Sequence, residues 1–277
     1  MQRLVAADWS KHAEKRWYCV ATPRGEGHDV DGPFPVGDDF LRQWADRPTL
    51  IGVDFAIGLP REYCDRAGLA GFLQALPTFD DAFFTVTDAP SLRQPFYPRS
   101  TTGTRARLQQ VTGEPRRRCD ALVNACPIFW TLGAQQVGRA TIHGWQTLLQ
   151  PRAPQWRLWP FDGDLDALPF AIAECYPRLG YNEVLARRFT KSSRDARAAQ
   201  APVIRAFAGQ HHLRISQHLQ THIDNGFETD DPFDACLAVL GMTAWTHCPV
   251  PAPQSTAVRR YEGWILGLPD PQGSSNT

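Results

Sequence analysis

The chain has no apolar run approaching the ~20 residues that a membrane-spanning helix requires. Its start, Met1-Gln2-Arg3-Leu4, runs straight into an apolar segment and leaves no room for a signal peptide, so a cytoplasmic location and no membrane partner are expected. It has no C-x-x-C spacing, and its seven cysteines (Cys19, Cys64, Cys119, Cys126, Cys175, Cys236 and Cys248) are an odd number, which argues against a disulfide framework and a structural zinc site. There is no P-loop, no G-x-S-x-G elbow and no internal repeat. Formal net charge is zero, so global electrostatics do not announce a nucleic-acid partner.

What is present is an ordered globular chain. At 277 residues and 43% hydrophobic composition it can bury a proper core, which excludes global disorder. The expectation is one domain over 1–268, with 77–168 as an insertion or cap and 269–277 as a disordered tail. Strands are expected at 3–9, 16–22, 28–36 and 49–55, with a helix at 38–46 before the fourth. The helical crossover implies parallel pairing of the strands it joins and an α/β class. Helices are expected at 61–76, 118–132, 181–188, 193–208, 211–223 and 230–247, and further strands at 169–176 and 260–268.

Charge is unevenly placed. Seven arginines and one acid lie between Arg93 and Arg118, and eight basic residues and two acids between Arg178 and Arg214. Five acids and no base lie between Asp224 and Asp234. The telling acids end apolar strands: Asp8 after Leu4-Val5-Ala6-Ala7, Asp54 after Leu50-Ile51-Gly52-Val53, and Glu174 after Phe170-Ala171-Ile172-Ala173. Asp231 and Asp234 open a helix at i, i+3 spacing, which puts both on one face. Carboxylates so placed need a partner, and a shared hard cation, Mg²⁺ or Mn²⁺, fits an all-oxygen set. Taken singly each acid has a plainer role: Asp8 as a turn cap, Asp231 as a helix cap, Glu174 as a partner of Arg178. Lys191, Arg178, Arg194 and Arg105 are candidate phosphate-binding residues, the last beside Thr101-Thr102-Gly103-Thr104. His218 and His222 are four apart but lack a third ligand of the zinc type nearby. The aromatics Phe96, Tyr97, Trp130, Trp145, Trp156 and Trp159 could stack on unpaired bases, or form a small satellite core.

The strings Val5-Ala6-Ala7-Asp8-Trp9-Ser10, Val53-Asp54-Phe55-Ala56-Ile57-Gly58-Leu59-Pro60, Glu174-Cys175-Tyr176-Pro177-Arg178, Asp230-Asp231-Pro232-Phe233-Asp234-Ala235 and Tyr261-Glu262-Gly263-Trp264-Ile265-Leu266-Gly267 resemble domain-of-unknown-function family 429, whose members are described as nucleases of the ribonuclease H-like fold. The resemblance covers 1–76 and 169–268. It implies a five-stranded mixed sheet flanked by helices, three strands antiparallel and then two parallel, interrupted here by the large central insertion. It also implies Asp8 as central metal ligand, with Asp54, Asp231 and Asp234 completing the shell and Glu174 ligating or orienting water. The implied activity is metal-dependent phosphodiester hydrolysis on a nucleic acid or nucleotide phosphoester. Two other readings stand beside it. An actin-like phosphotransferase would need a glycine-rich turn after the first strand, where this chain has Trp9-Ser10-Lys11-His12. A non-enzymatic binding protein would use the same acids structurally.

Overall fold

The computed structural model describes residues 2–97, 104–131, 137–185, 191 and 193–271, without the side chains of Thr104 and Arg105. Thr101–Gly103 and the end of the tail lie outside the described residues. The strands are β1 (Arg3–Asp8), β2 (Trp17–Arg24), β3 (Gly27–Pro35), β4 (Thr49–Val53), β5 (Arg157–Leu158), β6 (Phe170–Glu174) and β7 (Leu213–Ile215). The helices are α1 (Arg61–Arg66), α2 (Phe72–Ala75), α3 (Asp81–Phe84), α4 (Thr104–Thr112), α5 (Arg118–Val123), α6 (Val137–Gly144), α7 (Pro177–Leu185), α8 (Arg194–Ala198), α9 (Ala201–Gln210), α10 (Gln217–Asp224) and α11 (Asp230–His247).

The chain is α/β, a mixed sheet in the order β5-β6-β4-β1-β2-β3-β7 with helices on its faces. β1 pairs with β4 in parallel and β4 with β6 in parallel, while β1, β2 and β3 form an antiparallel meander. The described sheet has seven strands rather than five. The two extra ones are short edge strands, β5 beside β6 and β7 beside β3, and three or fewer residues give no readable alternation.

β1 is buried from end to end because helices and loops cover both sheet faces. Leu4 and Ala6 face the layer built by α7, α9, α10 and α11, whereas Val5 and Ala7 face an aromatic layer drawn largely from 55–161. The region read as an insertion is therefore the second layer of the core. Phe96, Tyr97, Trp145, Trp156 and Trp159 are buried, so these aromatics pack rather than await bases. α11 runs the length of its layer and is buried over nearly its whole circumference.

Several elements are shorter than their periodicity suggests. Within 38–46 only a single 3₁₀ turn forms, Arg42–Trp44, because Phe40 and Trp44 are drawn into a ring cluster with Tyr18. The stretch 61–76 breaks at Gly68, which has φ +64°. The helix from Arg118 stops at Asn124, in the left-handed region. The stretch 193–208 divides into α8 and α9, and 211–223 into β7 and α10, with Ser216 capping α10. Residues 260–268 make no strand; Val258–Glu262 is a π turn, and Ile265 alone bridges to Glu174. Among the described residues no helix is long and apolar enough to cross a membrane.

α7 and α11 cross at Gly180 and Gly241, whose backbones nearly touch: a Cβ on Gly180 would lie 2.5 Å from the Leu237 carbonyl oxygen. Helix propensity alone favours Gly180→Ala by about 1 kcal/mol. The clash reverses that sign, and the variant is expected to lose about 1–3 kcal/mol, read as a lower Tm by calorimetry. An unchanged or higher Tm would mean that the helices do not cross this closely.

Candidate active site

Adjacent parallel strands in register point corresponding residues to the same face. Ala7 lies opposite Val53 on β4, so Asp8 and Asp54 follow side by side, with the Asp54 N–H bonded to the Ala7 carbonyl at 3.1 Å. Both have the parity of Leu4, Ala6 and Leu50 and turn toward α11. There the first turn of α11 supplies Asp230, Asp231 and, one turn on, Asp234. Helix N-termini favour anions, which helps this end accept so many.

The result is an acidic floor in a cavity of about 540 Å³ that Asp8, Asp54, Asp231 and Asp234 all line. Asp8 and Asp234 are 7% and 5% exposed, and Asp54 and Asp231 are half-buried. Tyr181 donates its hydroxyl to Asp234 Oδ1. Lys191 bonds Asp234 and stands 3.1 Å from Asp230. Among the described residues no lysine or arginine pairs with Asp8 or Asp54.

The electrostatics follow from that shortage. Burial pushes the Asp8 carboxyl well above its ordinary range, with Asp234, Asp54 and Asp231 adding and Lys191 opposing. Asp54 is pushed to about 7 by burial, against the pull of Lys191 and a hydrogen bond with Asp8. Burial, and then Asp54, lift Asp234 well above its usual range. Asp231 is raised by burial and by Asp230. Asp230 goes the other way: burial opposes, but Lys191 draws it down.

Glu174 lines the same cavity but reaches it from the other face of the sheet. Glu174 pairs with Val53 and shares the parity of Ile172, so it faces the aromatic layer. Just past β6 comes Cys175, whose N–H bonds the Val53 carbonyl at 2.9 Å and whose Cβ, with Met242 Sδ on α11, crowds the space beside Gly52. Glu174 accepts from the Ile57 N–H at 2.8 Å and from Arg117 through both oxygens, at 2.6 and 2.7 Å. Arg117, 1% exposed, also grips both oxygens of Asp120 and reaches the carbonyls of Ile57 and Glu262. Burial opposes its charge, and Asp120 and Glu174 more than restore it. Glu262 in turn accepts from the N–H groups of Arg61 and Arg118, at the starts of α1 and α5.

The candidate cations divide. Arg178 and Lys191 line the cavity, together with Lys11, Lys15 and Arg139, which sequence reasoning missed. Arg194 does not: its Nε donates to the Asn225 carbonyl at 2.7 Å, closing the end of α10. The side chain of Arg105 lies outside the described residues. Arg117 was the larger omission. Its sequence signal was the Arg117/Asp120 i, i+3 spacing inside an arginine-rich run, which a solvated face would show equally. His218 and His222 contact each other and the rings of Phe34 and Phe227.

Among the described residues no three His, Cys, Asp or Glu side chains are arranged to hold a metal as they stand. The donor set nevertheless fits a hard cation. Burial lifts the Asp8, Asp54 and Asp234 carboxyls together, and all three line one cavity as oxygen donors. No protein-family model, curated protein or solved structure matches the chain.

Two outcomes follow from these environments. The folded Asp54 keeps its proton to about 7, against 3.8 ordinarily, so its contribution to metal-free stability is full below about 4 and is lost as pH rises toward about 7. In chelator the wild-type Tm should therefore fall over that window relative to Asp54→Asn; a constant difference would refute the shift. Arg117→Met leaves Glu174 and Asp120 buried without their cation and should cost about 3–5 kcal/mol in denaturant unfolding. A loss under about 1 kcal/mol would show the network to be dispensable.

Proposed function

We propose that the chain is a divalent-metal-dependent phosphodiester hydrolase of nuclease type, built on a ribonuclease H-like sheet. The observation that carries this reading is the convergence of Asp8, Asp54 and Asp234 on one sheet face with too little positive charge to keep them ionised. Three antiparallel strands, β1 to β3, and the parallel strands β4 and β6 within the larger sheet support the ribonuclease H-like reading.

Asp8, Asp54 and Asp234 would hold Mg²⁺ or Mn²⁺, which supplies water activation and stabilisation of the leaving oxygen. Asp231, half-buried at the cavity wall, orients and accepts a proton from the attacking water. Lys191, in contact with Asp234 and Asp230, takes one phosphate oxygen. Arg178, Arg139, Lys11 and Lys15 ring the cavity mouth and attract the remaining negative charge of the substrate. The Glu174–Arg117 pair is a positioning device: it clamps the Ile57 backbone, three residues after Asp54, and so holds the loop on which Asp54 sits. The actin-like alternative finds no support after β1, where Trp9 fills the space against Phe40 and Phe55 instead of leaving amides open to a phosphate.

The test is a panel of labelled single- and double-stranded DNA and RNA oligonucleotides with Mg²⁺ or Mn²⁺. Cleavage should depend on the metal, and Asp8→Asn should reduce it by about 10²-fold or more while leaving Tm equal or higher. Retained cleavage in that variant removes the mechanism. No heat and no Tm change on titrating either ion would favour the binding-protein reading.

A further inference from the structure

We infer, building on the proposed metal-dependent activity, that Tyr181 is a positioning residue for the acidic site: its hydroxyl fixes the Asp234 carboxylate in the orientation that takes a divalent cation. Tyr181 lies on α7 and Asp234 on α11, and both are buried, at 8% and 5% exposed. The phenol donates to Asp234 Oδ1.

The close crossing of the two helices brings them together. Gly180 sits against the Leu237 carbonyl, three residues along α11 from Asp234. Residue 181 is thereby carried to the acidic end of α11. The rings of Tyr181 and Phe233 pack with centroids 5.8 Å apart. Val184, Phe233 and Leu237 belong to the same apolar cluster. Phenylalanine would fill the space of the Tyr181 ring. What tyrosine adds is the hydroxyl, and that hydroxyl goes to the carboxylate.

Two groups hold Asp234, and they are unequal. Lys191 meets Oδ2 through a long flexible side chain that is 35% exposed and also contacts Asp230. Tyr181 presents a buried ring with few torsions to settle, so it is the contact that stops the carboxylate from turning about its last bond. Partners that bond a metal ligand rather than the ion change metal affinity about 10–100-fold when they are lost. A purely structural tie between helices would not do so. The same pair of helices provides the comparison: Trp245 Nε1 donates to the exposed Glu183 at 3.1 Å, toward the other end of α11.

The test is a calorimetric titration of Mn²⁺ alone into the chain and into its Tyr181→Phe and Glu183→Ala variants. The wild type should bind saturably, Tyr181→Phe about tenfold or more weaker, and Glu183→Ala as the wild type does. Tyr181→Phe removes a single oxygen atom and should still unfold cooperatively in chelator, so its weaker binding is not a loss of fold. Unchanged affinity in Tyr181→Phe, equal weakening in Glu183→Ala, or loss of the cooperative transition in Tyr181→Phe would overturn the role of Tyr181 and leave the metal-dependent reading in place. No saturable binding by the wild type would overturn both.

Discussion

The structure turns on the two-residue alternation of parallel strands held in register. β1 and β4 bring Asp8 and Asp54 side by side on the face that α11 covers, and α11 begins with acids of its own. Like charges are thereby forced into shared, poorly solvated space, and Lys191 alone does not balance them. The same alternation carries Glu174 to the other face, one residue from Cys175, whose N–H bonds the Val53 carbonyl. A shift of one residue on β6 would exchange these roles.

The Glu174 side of the cavity is organised around a different charge. Arg117 lines the same cavity as the acids, with its guanidinium nitrogens bonded to Glu174, Asp120 and two backbone carbonyls. Its partners come from separate parts of the chain: the loop after β4, the end of β6, the start of α5 and the turn at Glu262. Backbone fits closely there as well. A Cβ on Gly58 would lie 2.2 Å from the Glu262 carbonyl oxygen, and Gly58 has φ +127°, a conformation open to glycine. The central region is thus joined covalently, electrostatically and sterically to the loop that carries Asp54. Its aromatic side chains pack in one core with residues of β1 and β4.

α11 connects the two ends of the molecule. Eighteen helical residues span about 27 Å, enough to run from the acidic cavity to a second one that His28 and His247 line. Its amino-terminal pole faces the carboxylates, where a positive field is useful. Its carboxyl-terminal pole, with that of α9, faces the second cavity.

By itself the sequence determined the α/β class, the four strands that begin the chain, the long helix Asp230–His247 and the acids at strand ends. Each of these rests on local pattern: apolar runs of strand length, a strong helix start at Asp230-Asp231-Pro232, and charged residues where burial would otherwise be unfavourable. Where Glu174 points was also latent there, since parity with Ile172 rather than Ala173 is countable. What it means depended on Arg117, fifty-seven residues away, which no local pattern ties to Glu174. The edge strands β5 and β7, the broken helices at Gly68 and Asn124, and the pairing of Gly180 with Gly241 were decided by tertiary structure alone. In each, a short segment with weak preference of its own takes the conformation that its neighbours leave room for.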